Sequence, residues 1–577
     1  MVDQFRFSPA EKPPLRVGLL LDGYQLSGFF SRIIEDIQAS NFARLEMLVF
    51  RKKAPVEPAP AKKSRTGNLI ERIRDPKQRS HILYEMYLKL DQRMRPPNHP
   101  LDRVDCSKTL AGIESIEVEP IGKKFVHRFP PEALEKIRAK DLDVILRFGF
   151  NILHGEILQS ARYGVWSYHH GDNDSYRGGP PHFWALVEKA PLSGVILQVL
   201  TEELDGGLAL CKSMFTTSRS ISVSRNRYVP YWGSTDMVIR KLNELHQFGW
   251  EYVKEHAVPV GEYRGKRKIY RSPENADMAR WLGPHFFRSA LRYPVRQKTV
   301  QHWQIALRKG GPPLHDSAQP PDAGGFRWVE SPAGHFWADP FAIEHAGRNW
   351  VFYEDYSYSK KRAGIACAEL QTDGSLGPAQ ACLEGDTIHF SYPHVFHAQG
   401  TLWMSPETAN SKSVDLYACE EFPSRWKKQA TLLEGNYVDP TIWQHDGQWW
   451  MTVTSADPDS RSGCLLLFYA DSPAGKWQFH PANPISTDIR TNRGAGKVFQ
   501  SGAALIRPFQ SGCPIYGYSF GFQQITMLTR KRYEETALRV INPDLFPGRA
   551  GVHTYGFVGD IEIIDGQSTR ALKRVMG

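Results

Sequence analysis

The sequence predicts a multidomain chain: an α/β domain with a Rossmann-type parallel sheet, followed by an all-β five-bladed propeller. Three observations carry this. The 577 residues exceed what one hydrophobic core supports, so two or three domains are expected. Short apolar runs alternate with helical stretches through the first half. The second half repeats at a period of about fifty residues.

In the first half, LRVGLLLDG (Leu15 to Gly23) reads as a buried strand ending in an Asp-Gly turn. Ser27 to Ala39 has helical spacing, with Phe29, Ile33, Ile34 and Ile37 on one face. Leu45 to Phe50 is a second strand, followed by a basic, Pro-containing insert near 51–79. A helix is expected around Ile82 to Met94. The helix PPEALEKIRAK then precedes a buried strand within Asp141 to Leu153. No GxGxxG or GxxxxGK[ST] follows the first strand, so those two nucleotide-binding modes lose support.

In the second half, ADPFAIEHAGRNWVFYED, SYPHVFHAQGTLWMSPET and YVDPTIWQHDGQWWMTVT align. Pro340, Pro393 and Pro440 match, as do Gly347, Gly400 and Gly447, and Trp350, Trp403 and Trp450. Each copy reads as strand, Gly turn and Trp-bearing strand, which is one propeller blade. Weaker copies begin at Gly494 and His553, and the early strand Val300 to Arg308 is a candidate to close the disc. The domains expected are a tail over 1–14, the α/β domain over 15–258, a basic helical linker over 259–299 and the propeller over 300–577. In the linker, Met278, Trp281, Leu282, Phe286 and Leu291 form the docking face of a helix.

Composition sets the boundaries. Hydrophobic residues are 41% and charged residues 23%, which argues against a mostly disordered chain. No apolar run is long enough to span a bilayer, and the first residues lack a signal-type apolar core, so a cytoplasmic location is expected. Seven cysteines without a CxxC pair indicate neither a disulfide framework nor a cysteine zinc site. The net charge of +10 falls largely in loops and linker, so no nucleic-acid partner is expected. The 15 Trp cluster toward the propeller half, as in many carbohydrate sites.

The stretch Asp143 to Leu210 carries chemistry. It holds Ser167 and His169 at a strand end, then Arg177-Gly178 and Pro181, then Leu204-Asp205 and Gly207. In this order and spacing it resembles the N-terminal catalytic domain of the formyltransferases that act on methionyl-tRNA and sugars, over about residues 15 to 250. The family pattern is Asn-x-His, Arg-Gly-x-x-Pro and Leu-Asp-x-Gly. The resemblance implies formyl transfer from 10-formyltetrahydrofolate to an amine, with His169 and Asp205 catalytic. A donor is needed for the oxyanion of the tetrahedral intermediate. Ser167 stands where the family has Asn, and the loop His170 to Tyr176 is unusually polar. A zinc site of His169, His170 and His182 is the lesser alternative, and no metal is expected.

Residues Phe326 to Asp565 resemble the propellers of family 43 glycosidases, and more closely the propeller-like region of plant glucosamine inositolphosphorylceramide transferases. The shared segments are Asp339-Pro340, Asp439-Pro440, Arg507-Pro508-Phe509-Gln510 and Gly551 to Tyr555. The family 43 pattern implies Asp339 as base and Asp439 as the carboxylate that tunes it. The later Glu that serves as acid has no clear match; Lys497 and Gln500 lie where it is sought, and Glu407 is the available substitute. His394, His553 and Trp337 are candidates for sugar contact, whereas Trp350, Trp403 and Trp450 are expected in the core.

Two function classes stay open. One is N-formyl transfer to an amino sugar or sugar nucleotide, with the propeller binding or processing glycan. The other is a glycoside hydrolase or glycosyl-transferring propeller beside a degenerate formyltransferase-like domain, with a noncatalytic glycan-binding protein as its limiting case.

Overall fold

The computed structural model describes residues 2–52, 79–122, 125–259, 261–291, 299–409, 411–455, 463–571 and 575. Most of the basic insert expected near 51–79 lies outside the described residues, as do the side chains of Phe286 and Leu291. The chain divides into two compact units, residues 1–293 and 294–577.

The first unit is built on a seven-stranded sheet. Its strands are β1 (Leu15–Leu21), β2 (Ala43–Arg51), β3 (Ser115–Val118), β4 (Val144–Arg147), β5 (Val165–His169), β6 (Leu192–Val199) and β7 (Leu208–Thr216). The spatial order is β7-β6-β5-β4-β1-β2-β3. β3, β2, β1, β4 and β5 run parallel, and β6 and β7 are added antiparallel at one edge. β1 is apolar and buried along nearly its whole length because the sheet is covered on both faces. The helix Gly28–Gln38 buries Phe29, Ile33, Ile34 and Ile37, and the Ser27 hydroxyl caps it by accepting from the Phe30 N–H at 3.3 Å. Chain order reverses direction between β1 and β4, which opens a crevice at their carboxyl ends, where α/β sheets bind ligands. Asp22 and Arg147 stand there, and His169 ends β5.

The segment expected as a linker packs on this unit. Tyr270 N donates to the Arg177 carbonyl at 2.8 Å and Gly179 N donates back to Tyr270 at 3.1 Å. Met278 and Trp281, on the helix Asn275–Leu291, are buried with Tyr84, Tyr87 and Phe183. The N-terminal tail is also docked: Ser8 N donates to Asn41 Oδ1 at 2.8 Å, and the Ser8 hydroxyl meets His246 Nδ1 at 2.7 Å.

The second unit is a five-bladed propeller. Blades one to three are four-stranded sheets whose inner strands are His335–His345, His389–Ala398 and Tyr437–His445. The first hairpin of each turns on a pair with positive φ: Ala346 (51°) and Gly347 (74°), Gln399 (52°) and Gly400 (76°), Asp446 (49°) and Gly447 (75°). Two such residues make a type I′ turn, whose twist suits a tight hairpin. The inner strand of blade four is broken into Arg493–Gly494 and Phe499–Ser501, both paired with Ala504–Ser511. Gly496 lies in the break, and a Cβ there would sit 2.1 Å from the Tyr555 carbonyl oxygen. Blade five joins the two ends of the unit: Thr299–Lys309 pairs antiparallel with Ile561–Ala571 along its whole length. That pairing closes the ring and leaves no free edge at the join.

Candidate functional site

The repeated X-Pro pairs are bulges. In blade one the register passes from Ala338↔Glu354 to Phe341↔Phe352, so two residues, Asp339 and Pro340, face one. The same step occurs at Tyr392-Pro393 and at Asp439-Pro440. Asp339, Tyr392 and Asp439 all have positive φ, at 50°, 46° and 54°. A bulge re-aims its side chain, and strained backbone of this kind clusters at functional sites. Here it turns three repeat-equivalent side chains into the hub. The residues opposite form a second layer, in which Ala338 faces Glu354, Ser391 faces Glu407 and Val438 faces Thr454.

Asp339, Asp439, Glu407 and His553, four of the five residues named from the sequence for this pocket, stand together in the hub. Asp339 Oδ1 accepts from the Thr554 hydroxyl at 3.0 Å and lies 3.4 Å from His553 Nε2. His553 Nδ1 reaches Asp565 Oδ2 at 2.7 Å. Asp565 also accepts the N–H groups of Asp339, His553 and Thr554 at 3.0–3.1 Å. Asp339, His553 and Asp565 have the grouping of metal ligands, but these backbone donors occupy the Asp565 oxygens and make a hydrogen-bonded triad of the three. On the other side, Asp439 holds Arg493 at two points, Nε–Oδ2 2.6 Å and Nη2–Oδ1 2.9 Å. Glu407 Oε2 accepts from Asp439 N at 3.3 Å and is 3.9 Å from Arg493 Nη2. Glu354 is 3.5 Å from His389 Nε2.

Burial and crowding set the charges. Burial, opposed by His553 and supported by Asp565 and Asp439, raises the Asp339 carboxyl to about 6. Glu354 is held well above the usual range by burial and by Asp339 and Glu407. Burial and the Asp439 charge do the same to Glu407, against the pull of Arg493. For His553, burial favours the neutral ring, but Asp565 and Asp339 outweigh it and raise the pKa. The hub thus combines neutral carboxyls with one that ionises near neutrality, the pairing that acid–base chemistry needs. It is open to solvent: the side chains of Arg493, Glu407 and Glu354 keep 19%, 14% and 10% exposure. Tyr516 lies at this opening, with Arg493 5.0 Å from its ring centroid and His553 edge-on to it.

Two sugar-contact candidates are corrected. His394 is a strut between blades: its Nε2 donates to the Ile442 carbonyl at 2.6 Å, and its ring packs by Phe341 and Phe396. Burial keeps it neutral, with a pKa lowered to about 3. Trp337 is core, packed on Tyr353 at 4.8 Å between centroids. Both errors have one cause: each residue lies two positions from a hub residue, where regular alternation would keep it on the hub side, and the bulges at Asp339-Pro340 and Tyr392-Pro393 break that alternation. Trp350 and Trp450 are buried between blades, as expected, whereas Trp403 is only half-buried, with its Nε1 donating to the Ala398 carbonyl at 3.2 Å. Where the missing acid was sought, Lys497 donates to the Ala342 carbonyl at 2.5 Å and Gln500 is exposed. From this blade Arg493 and Gln510 reach Asp439. The repeat does not reveal Arg493, because the inner strand is broken there. Asp565 had a signal: with Glu562 it is one of two carboxylates in the otherwise apolar run IEIIDG.

In the first unit, His169 and Asp205 are brought together, and Ser167 lies two residues before His169 on β5, bonded to Arg147. His169 Nδ1 lies 3.2 Å from Asp205 Oδ1, and Asp205 Oδ2 accepts the Gly178 N–H at 2.9 Å. Burial disfavours the His169 charge, but the Asp205 bond and charge prevail and raise its pKa. Asp205 is lowered: its bonds to His169 and Gly178 overcome burial. His169 Nε2 donates to the Tyr176 carbonyl at 2.8 Å, so both ring nitrogens are spent on the protein. The Ser167 hydroxyl accepts from Arg147 Nε at 2.9 Å. Arg147 escaped the sequence reading, although a lone cation in DVILRFGF was the available signal. The polar loop is pinned as well, with Lys212 Nζ 2.5 Å from Asp172 and 2.7 Å from Asp174. As arranged, these residues do not fit 10-formyltetrahydrofolate, because no ring nitrogen of His169 is left to face a formyl group. His170 and His182 are held neutral, chiefly by burial, and form no metal-ligand group with His169 among the described residues.

Comparison with known proteins agrees with this division. Residues 328–547 match the family model described as glucosamine inositolphosphorylceramide transferase 1, N-terminal. The protein of that name from Oryza sativa subsp. japonica is 27% identical over 210 residues, 36% of this chain and 28% of the rice protein, so the match spans under a third of that relative. A methionyl-tRNA formyltransferase from Clostridium acetobutylicum is 25% identical over 116 residues, 20% of this chain and 37% of that enzyme. A thermostable family-43 glycoside hydrolase structure aligns at 13% identity and a TM-score of 0.30, over 38% of this chain and 85% of that one. The chain is thus a composite, a formyltransferase-like unit joined to a propeller similar to the N-terminal region of glucosamine inositolphosphorylceramide transferase 1.

Proposed function

We propose that this chain is a carbohydrate-modifying enzyme whose chemistry lies in the propeller hub, at a glycosidic bond. The observation that carries the reading is the coexistence in one hub of a neutral carboxyl, Glu407, and one that ionises near neutrality, Asp339. Glu407 would give a proton to the departing sugar oxygen, and Asp339 would take the proton of the attacking hydroxyl or water. General acid catalysis of this kind contributes about 10²–10⁴-fold. Arg493 keeps Asp439 paired and so excludes it as the base, and Tyr516 offers a ring face at the opening. The test is turnover of a panel of glycosides and sugar nucleotides by the full chain. Asp339→Asn and Glu407→Gln should each lose at least a hundredfold, and His169→Ala should keep full rate. Sugar binding with no turnover of any panel member would sink the enzyme reading.

A second reading is N-formyl transfer to an amino sugar or sugar nucleotide, favoured by the intact His169–Asp205 couple. It requires the Tyr176 carbonyl to leave His169. Equilibrium binding of 10-formyltetrahydrofolate by the full chain, abolished in Asp205→Asn, is its test.

A further inference from the structure

The helix Ile82–Asp91 is apolar on both sides. Its inner side is anchored: the Tyr87 hydroxyl donates to the Ile221 carbonyl at 2.8 Å, and Asp91 Oδ2 accepts the Ser224 N–H at 2.9 Å. Tyr84 and Tyr87 are buried against Phe183. Its outer side carries Leu83, Met86 and Leu90, exposed at 39%, 54% and 54%. Their spacing of three and then four residues places them in one stripe along the helix. Such a stripe is stable in water only at a cost, and on a folded protein it marks an interaction surface.

The surroundings say what covers it. Lys89 lies on the same helix and Arg93 in the turn that continues it, both exposed. The adjoining helix Val223–Trp232 is tied on by the bond from Arg225 Nε to the Met94 carbonyl at 3.2 Å, and it adds Val229, 45% exposed. Of the two acids on the helix, Asp91 is turned inward and buried, and Glu85 is half-buried one turn before Lys89, which leaves Lys89 and Arg93 as the exposed charges. An apolar stripe edged by cations is complementary to a bilayer surface, with side chains entering the acyl boundary and Lys and Arg meeting anionic headgroups. No helix among the described residues is long and apolar enough to cross a membrane, so the contact is peripheral.

We infer that the Leu83–Met86–Leu90 face docks the first unit on an anionic phospholipid surface. This stands apart from the reading of the hub. The test is sedimentation of the full chain with phosphatidylcholine vesicles, with and without phosphatidylserine, at low and high salt. The chain should bind the phosphatidylserine vesicles roughly tenfold more tightly, and salt should remove the difference. Leu83→Ser/Met86→Ser/Leu90→Ser and, separately, Lys89→Glu/Arg93→Glu should each weaken binding roughly tenfold with circular dichroism unchanged. As a second measurement, a polarity-sensitive dye on Met86→Cys should shift to the blue with anionic vesicles. Equal binding by wild type and variants, no binding, or an unshifted dye would each overturn the proposal. A concentration-dependent dimer that the triple serine variant abolishes would overturn it in favour of a second copy of this chain.

Discussion

Asp439 and Arg493 face each other in a two-point ion pair, with Nε–Oδ2 at 2.6 Å and Nη2–Oδ1 at 2.9 Å. The pair joins blade three to the broken strand of blade four. It also divides the hub carboxyls by role: Asp439 is tied to a cation, and Glu407 and Glu354 are left neutral. Removing one partner of a buried pair leaves the other charge uncompensated, which costs about 3–5 kcal/mol. Arg493→Ala should therefore lower the urea midpoint of the propeller transition by a corresponding amount. Asp439→Asn/Arg493→Met, which removes both charges, should recover most of it.

The hub carboxyls predict a pH dependence of stability. The folded pKa of Asp339 is about 6, against about 3.9 in an unfolded chain. A raised carboxyl favours the folded state below the unfolded value and loses that advantage as pH climbs toward the folded one. Propeller stability should fall between about pH 4 and pH 6 for this reason, and Glu354 and Glu407, also held well above the usual carboxylate range, should deepen the fall. Glu354→Gln should flatten the decline on the rising-pH side in chemical denaturation across the pH range, and an unchanged slope would contradict the assignment.

His169 and Asp205 give the opposite dependence at each end. The pKa of His169 is raised, so its contribution is complete below about 6.5 and is lost as pH rises through the folded value. The pKa of Asp205 is lowered, so its contribution is complete above about 3.9 and is lost as pH falls through the folded value. The first unit should be most stable between those limits. His169→Gln should remove the alkaline decline, as read by thermal unfolding across pH.

Lys212 holds Asp172 and Asp174 and with them the loop that caps His169. Lys212→Ala leaves two carboxylates without their cation. The loop should open more often, by roughly tenfold, as for the loss of one modest local interaction. Hydrogen exchange at Tyr176 to Gly178 and the rate of His169 modification by diethylpyrocarbonate measure this directly. Wild-type rates in the variant would show that the loop is held by other bonds.

Gly447 has a φ of 75°, and no heavy atom lies within 4 Å of where its Cβ would be. Gly447→Ala therefore tests backbone strain alone, with an expected loss of about 1–2 kcal/mol. Gly347→Ala and Gly400→Ala should cost the same, since each closes an equivalent hairpin with no neighbour in reach.

The sequence alone determined the two-part architecture and the identity of most candidate site residues. Hydrophobic period and repeat spacing are local properties, and the alignment of Pro340, Pro393 and Pro440 already places Asp339 and Asp439 at equivalent points. Only the tertiary structure decided what those residues can do. Arg493 reaches Asp439 from the broken inner strand of blade four, just before the weak fourth copy begins, and Tyr176 turns its carbonyl onto His169 from seven residues away. His394 sits one residue past a bulge and points into the blades, away from the hub carboxyls. Charge state and access depend on which groups from distant strands surround a side chain, and burial and Coulomb interaction act through space, without regard to order along the chain.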